Sequence, residues 1–333
     1  EMGERNIARQ ATLLGMSSIL IWGAFTGMIR SISEVFGVTL GAALIYSTAS
    51  IVLLLSHGLP NIKRFPKKYL YIAGPMLIIY EVLLSLSVGL ADSRHQSIEI
   101  ALVNYLWPTL IVLFSLLILR VRLSWLAIPG IFFAFFGVIW ALYGDAGIDI
   151  LQFYRTVMSN TLPYFLALIA AHLWAIYCNI AKLWGAGENA IPLFFTGVAL
   201  ALWLKFSIEI WQQKLLFNNL NTPFTFAAIF PENGLSIEHF RDIPFRSIME
   251  FLLTGGLVGA SYSFWERGIQ HGNMMLLAVL SYFTPILSVL FSGLWLKAMP
   301  GLSFWIGVSM VTLGSFLSYL ATQKTKSRHL SLA

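Results

Sequence analysis

The segment Asn104-Tyr-Leu-Trp-Pro-Thr-Leu-Ile-Val-Leu-Phe-Ser115 returns 177 positions later as Ser281-Tyr-Phe-Thr-Pro-Ile-Leu-Ser-Val-Leu-Phe-Ser292, with seven of twelve positions identical. A chain that repeats itself at this distance is built as two related halves. The same offset carries Gly130 onto Gly307 and Gly137 onto Gly314, whereas an offset of 152 carries Trp22 onto Trp174 and Arg30 onto Lys182. The offsets differ by 25 residues, so the second copy holds an insertion before its fourth apolar segment. The polar, irregular stretch 207–243 is the expected place for it.

Composition says where such a chain lives. Of its 333 residues 58% are hydrophobic and only 11% charged, against roughly 25% charged in a soluble domain. Ten apolar stretches are long enough to cross a bilayer as helices: 9–30, 36–57, 67–90, 96–118, 123–143, 160–184, 188–206, 244–268, 272–296 and 301–322. Only helices or closed barrels satisfy every backbone hydrogen bond in hydrocarbon, and a barrel would need short alternating segments instead. The expected fold class is an all-α membrane protein of ten transmembrane helices in a five-plus-five repeat. Its parts are a first repeat over 9–143, a connection over 144–159, a second repeat over 160–322, and tails at 1–8 and 323–333. Five helices per half is an odd number, so the second copy enters the membrane in the opposite sense and the repeat is inverted, a design that builds a transport site at the midplane.

Orientation follows from the basic residues. With both termini inside, the cytoplasmic side holds 13 Lys and Arg against eight outside, and four of those eight flank or lie in the long 207–243 connection, where the rule is weak. Both termini are therefore expected in the cytoplasm of a bacterial inner membrane. The net charge of +6 is mostly this inside excess, so no nucleic-acid partner is expected; lipid and a small-molecule substrate are, and the chain is read as a monomer. The first apolar stretch is too long for a cleavable signal core and is expected to stay.

Residues that sit uneasily in lipid mark the candidate site. Eight tryptophans, among them Trp265, read as interfacial, but Trp22, Trp107 and Trp174 fall near mid-span, where an indole N–H needs a partner that lipid cannot give. Pro108 and Pro285 each remove a helix hydrogen bond at corresponding mid-span positions and are read as paired hinges. Tyr105 and Tyr282 lie three residues earlier on nearly the same face, with Asn104 and Ser281 beside them. Glu81 and His172 are the ionisable groups well inside spans; Glu81 is the candidate for proton coupling, while Glu250 and Glu266 read as solvated near a span end. Trp174, Tyr80 and Tyr262 supply further rings, and Asn179 shares a face with His172. The glycine pairs at 130/137 and 307/314 read as close helix packing.

Absences narrow the chemistry. There is no phosphate-binding Gly-x4-Gly-Lys motif, no His pair at i, i+4 and one cysteine, Cys178, so no cofactor, metal site or disulfide is expected. A membrane-embedded enzyme or a passive channel is the competing reading, and secondary transport the favoured one.

Leu20-Ile-Trp22-Gly23 in the first span, the matched Arg30 and Lys182, the proline in spans four and nine, and the segments Asn104-Tyr-Leu-Trp-Pro108 and Trp22-Gly-Ala-Phe25 resemble the drug/metabolite transporter superfamily. Within it they are most similar to the bacterial YddG-type aromatic amino acid exporters. That resemblance covers essentially the whole chain. It implies export of Phe, Tyr and Trp and of some small foreign compounds, and a basket-like fold whose cavity is lined by spans 1, 3, 4, 6, 8 and 9. The residues fit that class independently: Trp22, Tyr80, Tyr105, Trp174, Tyr262 and Tyr282 offer rings, and Asn104, His172, Asn179 and Ser281 offer hydrogen bonds to a zwitterion.

Overall fold

A computed structural model describes residues 2–218, 243–296 and 300–330. Among them there is helix and no strand, and each of the ten apolar stretches carries helix. In chain order the α-helices are α1 Met2–Phe36, α2 Val38–His57, α3 Gly74–Gly89, α4 Arg94–Asn104, α5 Trp107–Ile118, α6 Ala127–Tyr143, α7 Ile150–Ser159, α8 Thr161–Trp184, α9 Ile191–Asn218, α10 Phe245–His271, α11 Met274–Leu280, α12 Phe283–Leu296 and α13 Leu302–Leu330.

Six of the candidate spans are long and apolar enough to cross a membrane by themselves: Val38–His57, Tyr69–Gly89, Ile98–Ile118, Thr161–Trp184, Ile191–Gln212 and Leu302–Ala321. A seventh is the pair α11 and α12, bent by 42° at its break. Helix α6 is apolar but 17 residues long. Helices α1 and α10, at 35 and 27 residues, have the length, but α1 starts among Glu4, Arg5 and Arg9 and α10 carries Arg246, Glu250, Glu266 and Arg267.

Local sequence explains the breaks. Gly37 turns the chain between α1 and α2 with φ +82, a conformation that favours glycine. Ser93, Asp149 and Asn273 cap α4, α7 and α11, each side chain accepting from a backbone N–H three residues on. The two spans with the repeat-related prolines break just ahead of the ring. The first turns at Tyr105–Leu106, before Pro108, and the second at Ser281–Tyr282, before Pro285. A proline has no N–H to give and its ring crowds the carbonyl four residues back. At the breaks the bonding tightens to i→i−3, with Leu106 N on Val103 O (3.2 Å) and Tyr282 N on Val279 O (3.1 Å).

The packing is a set of helix pairs: α1 with α10, α3 with α8, α2 with α9, and α6 with α13. The last pair is fastened through its glycines. A Cβ on Gly130 would meet the carbonyl of Gly314 at 2.9 Å and one on Gly137 that of Gly307 at 2.8 Å, so the two backbones touch along both repeat-related pairs.

Residues 207–218, expected as irregular insert, instead extend α9, and 219–242 lie outside the described residues. The tail expected at 323–330 is likewise a continuation of α13.

Candidate functional site

Between α1, α2, α3, α8 and α10 lies a cavity of about 300 Å3, at the low end of small-molecule sites. Its mouth is made by Ile29 and Ser33 near the end of α1, Val38 at the start of α2, and Leu84 and Val88 near the end of α3. It therefore opens on the face opposite the α1 N-terminus.

The floor is aromatic. Trp22 lies 6.4 Å from Trp107, 5.5 Å from Tyr262 and 5.1 Å from Trp265, centroid to centroid. Trp174 stacks on Tyr80 at 5.1 Å on one side and on Tyr177 at 5.4 Å on the other. It also meets Trp107 edge-on at 6.1 Å, and Trp107 in turn meets Trp265 at 5.7 Å. Four indoles from α1, α5, α8 and α10 thus share one layer, and such edge and offset contacts hold rings at fixed angles. The repeat mates Trp22 and Trp174 are both in it.

Polar atoms converge on the same space. Glu81 is 5% exposed; its Oε2 accepts from the Tyr46 hydroxyl at 2.6 Å, while its Oε1 has no hydrogen-bond partner among the described residues. Ser85, Asn104 and Thr284 also line the cavity, and their Oγ, Oδ1 and Oγ1 atoms are buried with no hydrogen-bond partner among the described residues. Native interiors leave few such groups, and several facing one cavity mark a place where a ligand supplies the bonds.

Of the residues expected in a site, the structure brings together Trp22, Tyr80, Glu81, Asn104, Tyr105, Trp174 and Tyr262. It puts four elsewhere. His172 is half-buried with Nδ1 2.8 Å from the Leu168 carbonyl and its ring beside Phe114. Asn179 donates to the carbonyls of Ile111 (3.1 Å) and Ala175 (2.9 Å), bolting α8 to α5. Ser281 gives its hydroxyl to Leu277 O at 2.7 Å, and Tyr282, fully buried, pairs with Thr109. The prolines stand at the breaks already described.

Two readings are corrected. Trp265 is not interfacial: it is 0% exposed, and its indole N–H faces Cys178 Sγ at 3.4 Å. Glu266 is not solvated. It is 1% exposed and accepts from Tyr69 (2.6 Å), Tyr177 (2.7 Å) and Gln270 (2.8 Å). Both errors share one cause: α10 runs to His271 and its last turns are covered by α1, α8 and Tyr69 from the turn before α3, so nearness to a span end did not mean nearness to water. Tyr46, Ser85 and Thr284 escaped the sequence reading because nothing in their local pattern separates a cavity-facing hydroxyl from a packed one. Trp107 had its signal, an indole at mid-span.

The Glu266 cluster lies beyond the aromatic floor, toward the α1 N-terminus, where Gly268 of α10 and Gly272 just after it approach Gly15 and Thr12 of α1. Tyr177 ties it to the floor directly, since its ring stacks on Trp174 and its hydroxyl bonds Glu266. Beyond it, Lys182 Nζ reaches the carbonyls of Ile269 (2.8 Å), Gln270 (3.3 Å) and Gly272 (3.3 Å), a cation on the C-terminal end of α10. On the open face α2 and α9 are joined by Thr39, Glu209 and Lys205, and α1 and α10 by Ser31 and Glu250 (2.8 Å).

No protein-family model matches the chain. Among known proteins it is 36% identical over 318 residues to the aromatic amino acid exporter YddG of Salmonella typhimurium, covering 95% of this chain and 99% of that one. The protein of the same name from Escherichia coli K12 is 35% identical over 316 residues, with the same coverage. A solved crystal structure superposes with a TM-score of 0.68 at 23% identity, over 94% of this chain and 99% of that one, which speaks to fold alone. With that similarity running nearly the full length of both exporters, the chain is a multi-pass membrane transporter, not an enzyme, and belongs to the YddG family of aromatic amino acid exporters.

Proposed function

We propose that this protein exports aromatic amino acids across the bacterial inner membrane by alternating access, as a ten-span carrier of two inverted five-helix repeats with both termini in the cytoplasm. The observation that carries the reading is a ring-walled cavity lined by Glu81, one of whose buried carboxylate oxygens has no partner among the described residues. An aromatic side chain takes the slot between Trp22, Trp107, Trp174, Tyr80 and Tyr262; the ammonium goes to Glu81 Oε1 and Asn104 Oδ1; Ser85 and Thr284 hydroxyls donate to the carboxylate.

The inverted repeat is supported by packing that survives exchange of the halves. Swapping spans 1 to 5 with 6 to 10 turns the α1–α10 contact into α8–α3, α1–α12 into α8–α5, and α2–α10 into α9–α3, while α2–α9 and α6–α13 map onto themselves. Each of these contacts is present. Under this topology the cavity faces outward, and the aromatic floor and Glu266 cluster form the cytoplasmic seal. Alternation opens that seal and shuts the mouth, with the breaks at Pro108 and Pro285 as the paired hinges.

Glu81 also accounts for coupling. A carboxylate in hydrocarbon is stable with a cation on it, and either substrate ammonium or a proton meets that need, so the two exchange at one group. The test is exchange of labelled tryptophan in proteoliposomes with and without an imposed pH gradient. Saturable exchange that responds to the gradient in the native protein, and loses the response in Glu81→Gln, is expected. Flux that never saturates would point to a channel and end the carrier reading.

A further inference from the structure

Charge balance in the cavity sets a substrate preference that its rings alone do not. Among the described residues lining it, Glu81 is the only acidic one, and no Lys, Arg or His is present. A zwitterionic amino acid brings one cation and one anion. Its ammonium neutralises Glu81, but its carboxylate then meets only neutral donors, the Ser85 and Thr284 hydroxyls. The loaded cavity keeps one net negative charge among indoles and aliphatic side chains, where charge that is not paired is costly. An arylalkylamine keeps the ring, the two-carbon spacer and the ammonium, and leaves the loaded cavity neutral.

We infer that this cavity also takes decarboxylated aromatic amines, of the tryptamine, tyramine and phenethylamine type, as substrates, and holds them more tightly than the corresponding amino acids. The inference rests on the assignment of the ammonium to Glu81 made above. Three features of the site carry it. Glu81 Oε1 is buried and accepts no hydrogen bond among the described residues, so it has acceptor capacity left for a bound ammonium. The other carboxylate oxygen is held by Tyr46, which fixes the group in the wall. Tyr80 and Tyr262, stacked on and edge-on to Trp174, line the same cavity, and such rings suit a cation. An anion meets hydroxyls and an amide there, but no cation among the described lining residues. Aromatic acids without an amine, such as indole-3-propionate, would put two negative charges in the cavity and should be rejected.

The experiment is competition against labelled tryptophan bound to the purified, detergent-solubilised protein, with tryptamine and indole-3-propionate as competitors. Tryptamine is expected to displace tryptophan at roughly tenfold lower concentration than unlabelled tryptophan does, and indole-3-propionate not at all. In Glu81→Gln the amine should lose about tenfold or more and tryptophan less, because only the amine draws its whole charge balance from this residue. Labelled tryptamine should then exchange across proteoliposomes loaded with tryptophan. If tryptophan binds saturably while tryptamine fails at a large excess, the inference falls and the amino acid site stands. If indole-3-propionate competes as well as tryptamine, the charge argument is wrong. Should neither tryptophan nor tryptamine bind, the assignment of the cavity falls with it. The comparison of the two competitors on the native protein decides the matter even if Glu81→Gln does not fold.

Discussion

Removing the Tyr69 and Tyr177 hydroxyls should unlatch the side assigned above to the cytoplasm, and the chain carries its own reporter for that event. Glu266 is 1% exposed and is held by Tyr69 from the start of the third span, Tyr177 from α8 and Gln270 one turn on. The first two bonds cross between helices that must separate for the floor to open, whereas the third lies within α10 and survives. A hydrogen bond to a charged group contributes about 1.5–3 kcal/mol. Tyr69→Phe alone should therefore cost the sealed state about 2 kcal/mol, which raises the unsealed population roughly thirtyfold when that state is the minor one. Phenylalanine fills the same ring volume, so packing against Phe194 is retained. Cys178 is the only cysteine and 0% exposed, with Trp265 of the floor against its sulfur. Its modification by a membrane-impermeant maleimide in inside-out vesicles should follow the unsealed population and speed up by about that factor. The double variant with Tyr177→Phe should go further. Tyr46→Phe, which acts on the Glu81 carboxylate of the cavity, should leave the rate unchanged. Native labelling rates in both Tyr69→Phe and the double variant, with tryptophan binding intact, would refute the latch.

Trp174→Ala removes the ring that joins Tyr80, Trp107, Tyr177 and Tyr262; tryptophan affinity measured on the purified protein should fall by about tenfold or more, from ring contacts of about 0.5–1.5 kcal/mol each. Pro285→Ala restores an N–H at the 42° break and should slow the exchange rate while the equilibrium affinity stays near native; a collapse of binding with normal exchange would rule out the hinge. Gly307→Leu drives a side chain into the Gly137 backbone and Ala141; with no room to give, a loss of at least 1–3 kcal/mol is expected as a lower melting temperature in detergent, and an unchanged melting curve would show that α6 and α13 are not held through these glycines.

Much of the architecture was written in the chain. The apolar stretches foretold where helices lie because helix length in a bilayer is set by its thickness. The two prolines foretold both breaks because a missing N–H acts locally, whatever surrounds it. Trp22, Trp174, Glu81 and Asn104 were legible as odd residues at mid-span, since lipid offers such groups nothing. Packing of Gly130 and Gly137 on Gly307 and Gly314 was legible from spacing alone, seven residues being two turns of one face.

What the sequence could not say was which polar residues face one another. His172 and Asn179 share the face expected of them, yet they meet a carbonyl of their own helix and that of Ile111, not the cavity. Ser281 and Tyr282, mates of Tyr105's neighbourhood, are sealed in packing while Tyr105 lines the cavity. A duplicated sequence gives equal local environments but not equal exposure, because here one copy borders the cavity and the other is packed away from it. Glu266 is the sharpest case. Its place near a span end suggested water, but three donors arriving from Tyr69, Tyr177 and Gln270, two of them on other helices far away in sequence, hold it dry. Local pattern determines what a helix is; only the tertiary arrangement of helices decides which of its faces meets lipid, substrate or another helix, and so what each buried charge can do.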